Sequence, residues 1–569
     1  MTINIGLNIG HDSGATLISG EEVVCSVNEE RFSRVKGNVG FPDQSLNYLV
    51  EKYSDLFSDP QQVTVNIEGL KFLPWQKTNE DMQPKNLPFV RKCLDYSHVS
   101  DFLLGTRSGL VLSTQLMKVQ QLGHKSSLEK NLSQFFDFRD VHYVDHHRAH
   151  AASALPFVDQ YDESGLSISF DAAGEGICSR THIVDSNGNL FEARGLALPC
   201  LHSPASFYAA VTEICGFKAN RHEGKITGLA AHGDGAAVQT ILKHFLKTNE
   251  TWPYISNRIG YGAAQLSKLR KSIGGFSRED IAAGIQRLTE DSIIHFISRV
   301  NKSLLGERSS TSKYKNLYLS GGLFANVTLN RRVQELDLSD RIVIAPNMGD
   351  GGLSLGAAII GSRRSGVNTK NPRLRLPYLG PDIENTIGRK ADPVAIASLL
   401  SQNKIMALCK GRMEFGPRAL GNRSIIFPAW DKSINQWLNK KLNRSEFMPF
   451  APIVREVDFE KYFIRRSDVS IRDYRFMTLT VGCTDLAVRE VPGVVHIDNS
   501  ARPQVVYEED NQFLYSILTE FEKLTGCGVL INTSFNMHEE PIVMSALQGE
   551  SSFSSSGIDY LVLSNTIRP

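Results

Sequence analysis

Leu166-Ser167-Ile168-Ser169-Phe170 runs into Asp171-Ala172-Ala173-Gly174-Glu175-Gly176 and then into a second apolar stretch that reaches residue 184. This reads as a strand, a glycine-bearing turn with an acid at its mouth, and a returning strand. The same design stands at the N-terminus, where residues 3 to 9 and 22 to 28 flank the turn His11-Asp12-Ser13-Gly14-Ala15. Its small residues let backbone N–H groups approach an anion. A third copy is Asn316-Leu317-Tyr318-Leu319, followed by Ser320-Gly321-Gly322-Leu323-Phe324-Ala325-Asn326 and a helix. Three such turns predict an α/β chain built on a duplicated nucleotide-binding fold.

Upstream of the opening stretch lies Asp145-His146-His147-Arg148-Ala149-His150. On a helix the four-residue spacing of His146 and His150 puts both imidazoles on one face. Two such histidines alone are more often surface or satisfied core residues than ligands; their company changes the reading. Asp171 follows His150 by twenty-one residues, and Asp350 sits in the turn Met348-Gly349-Asp350-Gly351-Gly352 before an apolar helix. Two His and two Asp suit Fe(II), Mn(II) or Zn(II).

Other motifs admit two readings each. Asn326, after the pair Gly321-Gly322, is either an amide for ribose or base or the cap of the following helix. Glu223-Gly224-Lys225 is either a loop contacting phosphate or carbonyl oxygen or a surface ion pair. Arg412, Arg418 and Arg423 crowd one Gly-rich turn, residues 411 to 424, and would repel one another unless an anion or an acid neutralised them. Arg502, Asn532 and Ser534 lie beside extended segments and would complete an anion pocket there. A helix opens at Ser277 with Asp280 as capping-box partner and carries Ile281, Ile285, Leu288, Ile293, Phe296 and Ile297. Ser551 to Gly557 reads as a loop before the last strand, Tyr560-Leu561-Val562-Leu563.

At 569 residues the chain exceeds one hydrophobic core and is expected to form two or three domains. The Pro- and Arg-bearing stretch 371–381 is the predicted link between 1–370 and a smaller α/β domain, 382–569. A net charge of +1 provides no global attraction to nucleic acid or anionic membrane, so an anion site must be built locally. No apolar run approaches the roughly 20 residues of a membrane span, and the N-terminus lacks the pattern of a signal peptide. Eight cysteines without a CxxC pair suggest neither a zinc knuckle nor a disulfide framework, and a reducing cytoplasm is the expected setting.

Taken in order, His11-Asp12, HHRAHAASA (146–154), EGKITGLAAHG (223–233), LSGGLFANVTLN (319–330), GDGGLSLGAA (349–358), GRMEFGPRALGNRSI (411–425) and INTSFN (531–536) resemble the ATP-dependent O-carbamoyltransferase family of nodulation-factor, cephamycin and tobramycin carbamoyltransferases. The resemblance implies an actin/Hsp70-like N-terminal domain and a YrdC-like C-terminal domain. The latter would take carbamoyl phosphate and ATP with its Mg, release phosphate and pyrophosphate, and leave carbamoyl adenylate. The former would pass the carbamoyl group to a hydroxyl or amine of a small metabolite. Residue by residue, it implies His146, His150, Asp171 and Asp350 as metal ligands, with Fe(II) favoured over Mn(II) or Zn(II). It implies Gly321, Gly322 and Asn326 as the adenosine loop, and His11 as general base, a role suited to an imidazole whose ordinary pKa is about 6.5. Lys225 and Arg418 are further catalytic candidates, and Arg418, Arg423, Arg502, Asn532 and Ser534 are implied nucleotide and carbamoyl phosphate contacts. A homodimer fits this reading, and no nucleic-acid or membrane partner is expected.

In one segment the chain departs from the family. Where relatives carry a Lys and an Arg, this sequence has Leu442-Asn443-Arg444-Ser445-Glu446-Phe447-Met448, with Met448 in the Arg position. Arg444, Lys440 or Lys441 could compensate. If they do not, the chain reads as a related adenylate-forming enzyme with a carboxylic acid donor. A non-catalytic nucleotide-binding assembly protein is the alternative of another class. Phe72, Trp75, Phe89 and Phe102, within segment 65–140, form either a cover for the acceptor or simple packing.

Overall fold

A computed structural model of the chain describes residues 2–68, 128–158, 164–260, 262–305, 313–367, 377–433, 450–467 and 469–569. Its three strand-to-glycine turns sit in two sheets of one design. In the first, β1 (Ile3–Asn8), β2 (Gly14–Ser19) and β3 (Glu22–Asn28) form an antiparallel meander, and β4 (Val63–Glu68) and β5 (Asp140–Val144) add in parallel beyond β1. In the second, β6 (Gly165–Gly174), β7 (Ile177–Val184) and β8 (Leu190–Glu192) form the meander, and β9 (Tyr314–Ser320) and β10 (Ser339–Ile344) add in parallel beyond β6. Strand order and polarity are the same in both: third, second, first, fourth, fifth. That repetition is the duplicated actin/Hsp70-like architecture the resemblance implied.

The helices that matter to the site are α1 (His146–Ala154), α2 (Glu223–Leu229), α3 (Arg278–Leu305), α4 (Val327–Gln334) and α5 (Leu353–Arg364). β1 and β4 are buried along their whole length, as strands covered on both faces must be. Ile3, Ile5 and Leu7 face one core. On the other face Gly6 meets α5, where any Cβ would overlap the Ser354 carbonyl oxygen. Gly356 likewise presses against the Ala149 carbonyl of α1. These two missing side chains let α5 lie directly on β1 and α1 at once. In α3 the expected apolar residues are all buried, and Ser277 Oγ accepts the Asp280 N–H at 3.1 Å. The reciprocal half of the capping box is different: the Asp280 carboxylate accepts from the N–H of Asp234 instead.

The C-terminal part holds a mixed sheet of seven strands, β11 (Met406–Cys409), β12 (Arg423–Pro428), β13 (Ala451–Arg455), β14 (Gln504–Val506), β15 (Val529–Ser534), β16 (Tyr560–Leu563) and β17 (Thr566–Arg568), in the order β14-β13-β15-β12-β11-β16-β17. Helix α6 (Gln512–Thr525) packs on it with a fully buried apolar stripe of Leu514, Ile517, Leu518 and Phe521. The serine run expected to be a loop is instead helical, within α7 (Ala546–Ser556). Ser545 caps its start, Gly557 ends it with φ +65°, and Ser554 and Ser555 return their hydroxyls to carbonyls one turn back, so serine does not break this helix.

The two parts are fastened tightly. Arg412 donates to Val24 O (2.6 Å) and Leu379 O (2.9 Å), Arg31 to Gly416 O (2.9 Å), and Arg34 to Pro541 O (2.7 Å) and Ile542 O (2.9 Å). Of the Pro-rich stretch, 371–376 lies outside the described residues, while Tyr378 and Leu379 are buried and Gly380 and Pro381 bond to Met413.

Because α5 carries α1 through the Gly356 contact, Gly356→Ala is expected to separate the two helices. It should lower unfolding free energy by about 1–3 kcal/mol in urea denaturation. A variant as stable as the parent would show that the close approach bears no weight.

Candidate metal centre

Asp145 caps α1: its Oδ1 accepts the Arg148 N–H at 2.8 Å, and its Oδ2 takes Arg180 Nη1 at 2.8 Å. His146 therefore opens the helix and His150 follows one turn later, both fully buried. Asp171 stands where β6 leaves the sheet, and Asp350 opens the short turn ahead of α5. His150 Nε2 lies 3.0 Å from Asp171 Oδ2 and 3.4 Å from Asp350 Oδ1. His146 Nε2 lies 3.6 and 3.7 Å from the same two oxygens. One ligand atom from each of the four falls within 4.8 Å of all the others. Two imidazole nitrogens and two carboxylate oxygens converging on one buried point fit a divalent transition metal.

The surroundings suit a cation. Burial pushes the Asp171 carboxyl up, but its hydrogen bonds to His146 and His150 outweigh this and hold it well below the usual carboxylate range. Glu175 is pushed up to about 8 by burial and then by the charges of Asp145 and Glu68, so a further acid here keeps its proton at neutral pH. His147 faces elsewhere. Its Nε2 lies 3.0 Å from Ile177 O and its Nδ1 2.9 Å from Ser169 Oγ, and burial beside two other imidazoles brings it down to about 3, so it stays neutral and structural. Gly174 is required: a Cβ there would sit inside the His146 ring.

Three asparagines brace the turns around the centre. Asn8 Nδ2 lies 2.8 Å from His11 O and 2.9 Å from Asp350 O; Asn28 Nδ2 lies 3.0 Å from Asp12 O and 3.1 Å from Gly351 O; Asn347 donates to Asn28 at 3.1 Å. His11 is thereby tied to the same frame as Asp350, with Nδ1 2.9 Å from Asp12 Oδ2 and a partly exposed ring. In that turn the Ser13 N–H goes to Asn38 O. Lys225 lies on α2 with its ammonium 5.8 Å from the centre of the Phe217 ring.

Gly321, at φ +95°, folds back on the Phe170 carbonyl, and a Cβ on Gly322 would come 3.3 Å from Asp171 Oδ1. The glycine pair thus borders the metal ligands. Asn326 is the helix cap of the two readings: its Oδ1 accepts the Leu329 N–H (3.1 Å) and Gln286 Nε2 (3.0 Å), and its Nδ2 donates to Gln286 Oε1 (2.8 Å).

In the Gly-rich turn of the C-terminal part, a buried acid orders the backbone, and two of the arginines are satisfied by carbonyls. Buried Glu414 accepts the N–H groups of Leu420, Asn422 and Arg423 through one oxygen at 2.7–2.9 Å. The expectation that Arg423 contacts nucleotide is corrected: it is fully buried, and its Nε and Nη1 hold the carbonyls of Met544, Lys410 and Gly411 at 2.9–3.1 Å. Arg412 is likewise occupied between the two parts. Arg418 is half-buried in the same turn. Asn532 is buried and donates to Ala419 O (3.0 Å) and Gln504 Oε1 (2.6 Å), while Ser534 ends β15. Arg502 lines a cavity of about 230 Å³ between the two parts, with Phe450 and His496 on its side and Gln286, Glu290 and Thr328 opposite. Lys440, Lys441, Arg444 and Met448 lie outside the described residues, as do Phe72, Trp75, Phe89 and Phe102.

Sequence reading missed Glu68, Asn8, Asn28, Asn347 and Gln286. The only available signal was a polar residue in or beside an apolar element, and that pattern does not distinguish a brace from a surface position.

A duplicated actin/Hsp70-like core with a buried His/Asp cluster defines the class, and comparison with known proteins defines the family. Residues 4–359 match the family described as Carbamoyltransferase N-terminus and 397–568 that described as Carbamoyltransferase C-terminus. The chain belongs to the carbamoyltransferase family and is a transferase. Nodulation protein NolNO of Sinorhizobium fredii is 28% identical over 97% of this chain and 78% of its own. The 3'-hydroxymethylcephem-O-carbamoyltransferase of Streptomyces clavuligerus is 27% identical over 70% of this chain and 74% of its own. Among solved structures, component A of (R)-2-hydroxyglutaryl-CoA dehydratase from Acidaminococcus fermentans aligns with a TM-score of 0.33 at 12% identity, over 64% of this chain and all of that one. The fold rests on the strand order and not on that likeness.

If Arg423 is scaffold, Arg423→Ala should lower unfolding free energy by about 3 kcal/mol or more, because buried carbonyls lose their donors. Denaturation should show a larger loss than for Arg418→Ala, and equal stability of the two variants would contradict the assignment.

Proposed function

We propose that the chain is a metal-dependent O-carbamoyltransferase working through carbamoyl adenylate, with residues 1–370 as the transfer domain, 371–381 as the link and 382–569 as a YrdC-like adenylate-forming domain. The observation that carries this reading is the convergence of His146, His150, Asp171 and Asp350 in a chain of the carbamoyltransferase family. The printed name of the cephem relative supports oxygen as the acceptor atom.

In the C-terminal half, carbamoyl phosphate and water give carbamate and phosphate. Carbamate oxygen then attacks the α-phosphorus of ATP, forming carbamoyl adenylate and expelling pyrophosphate. Arg418 and Arg502 bind the anionic oxygens in this scheme, and Arg412, Arg423 and Glu414 keep the turn in shape for them. The cavity between Arg502 and Gln286, which Asn326 holds from behind, is suited to a nucleotide shared by the two halves.

In the N-terminal half, His11 takes the proton of the acceptor hydroxyl as its oxygen attacks the carbamoyl carbon, and AMP leaves. His146, His150, Asp171 and Asp350 hold a divalent ion, which supplies Lewis acidity toward a carbonyl or phosphate oxygen. Asn8 keeps His11 and Asp350 in fixed relation.

Pyrophosphate release and carbamoyl transfer should separate by mutation. With ATP and carbamoyl phosphate, Arg418→Ala is expected to lower pyrophosphate release by at least about tenfold. His150→Ala should leave that release largely intact and stop transfer to a hydroxyl acceptor. Release only with a carboxylic acid donor would contradict the carbamoyl phosphate assignment and favour the reading prompted by Met448.

A further inference from the structure

We propose that Glu68 is the positioning residue of the metal centre: its carboxylate holds the Nδ1 proton of His146 and thereby presents Nε2 to the ion. The inference rests on the metal reading of the cluster and adds to it a residue outside the ligand set.

The backbone brings the pair together. β4 ends at Glu68, and the parallel register pairs Glu68 with Val144, two residues before His146. Both side chains are fully buried, and Glu68 Oε1 lies 2.5 Å from His146 Nδ1. That separation puts the two groups in direct hydrogen-bond contact, at the short end for an N–H···O pair.

The ring's two nitrogens then have distinct tasks. Nε2 is the nitrogen nearer Asp171 and Asp350, while Nδ1 meets Glu68. A neutral imidazole carries one proton, and a carboxylate at Nδ1 keeps it there, leaving the Nε2 lone pair for an ion. Gly174, which leaves no room for a Cβ against the ring, confines its plane as well. A carboxylate behind a ligating histidine also makes the ring a better donor, and loss of such a partner typically costs about 10- to 100-fold in metal affinity.

A plain structural ion pair is the competing account. Burying a carboxylate against an imidazole with no further positive charge is costly, and an apolar pair of the same volume serves packing at least as well. Glu68 makes physical sense chiefly if a cation shares its surroundings.

Binding of Mn(II) to the metal-free full-length protein, followed by calorimetry, tests this with His150→Ala, Glu68→Gln and Glu68→Ala alongside the parent. The parent should bind one equivalent and His150→Ala should lose it. Glu68→Gln, whose amide oxygen still accepts Nδ1–H without the charge, should bind more weakly than the parent but more tightly than Glu68→Ala, which should lose about 10- to 100-fold. Melting of metal-free Glu68→Gln should match or exceed that of the parent, so that its weaker binding is not a loss of fold, whereas a purely structural ion pair predicts lower melting with unchanged affinity. If Glu68→Ala does not fold, a loss of affinity in a stable Glu68→Gln supports the proposal. Affinities equal to the parent in both Glu68 variants, or in Glu68→Gln where it alone folds, would overturn the positioning role while leaving the centre intact. No binding by the parent, or parent-like binding by His150→Ala, would overturn the metal reading and this inference with it.

Discussion

Two carboxylates and two imidazoles held within 4.8 Å of one another in a buried pocket are the constraint to which much of the surrounding structure answers. Removing carboxylates from water is costly unless positive charge or hydrogen-bond donors accompany them. Here the four groups come from elements far apart in sequence, α1, the end of β6 and the turn before α5, with Glu68 at the end of β4 behind His146. Each must arrive at its place within a fraction of an ångström for an ion to be shared. The absence of side chains at Gly6, Gly174 and Gly356 permits that approach, and the amides of Asn8, Asn28 and Asn347 brace the turns against one another.

The same logic governs the C-terminal turn that carries three arginines. Glu414, buried at its centre, gathers three backbone N–H groups, and Arg423 gathers carbonyls from the start of the turn and from the segment ahead of α7. Arg412 and Arg31 then pin the turn to the N-terminal part, and Gly416 presses against the Pro346 carbonyl, four residues before Asp350. The arginine-bearing turn is thus built onto the segment that carries Asp350. Phe157 and Phe415 stack across the junction with their rings nearly parallel, at 8°. Relative motion of the two parts has to break these contacts.

Residue type and spacing made much of this legible. His146 and His150 sit four apart on a helix, and the strand-to-glycine turns repeat, because helix periodicity and close backbone approach leave marks in local sequence. What stayed hidden depends on contacts between distant segments. Glu68 is an ordinary acid at a strand end until β4 and β5 pair, and Gln286 is one polar residue on a buried helix until Asn326 meets it. Arg423 looked like a ligand because an arginine near glycines is the usual sign of an anion site; only its complete burial reveals a scaffold. The serines of α7 misled for the opposite reason, since their intrinsic preference for loops yields to the cap at Ser545 and the packing of Ser552 and Ser556.

Anomalous diffraction from crystals of the metal-loaded protein, collected across the iron, manganese and zinc absorption edges, addresses the central claim most directly. One peak about 2.0–2.2 Å from His146 Nε2, His150 Nε2 and an oxygen each of Asp171 and Asp350 is the predicted result. A peak elsewhere, or none at this cluster under saturating metal, would contradict it.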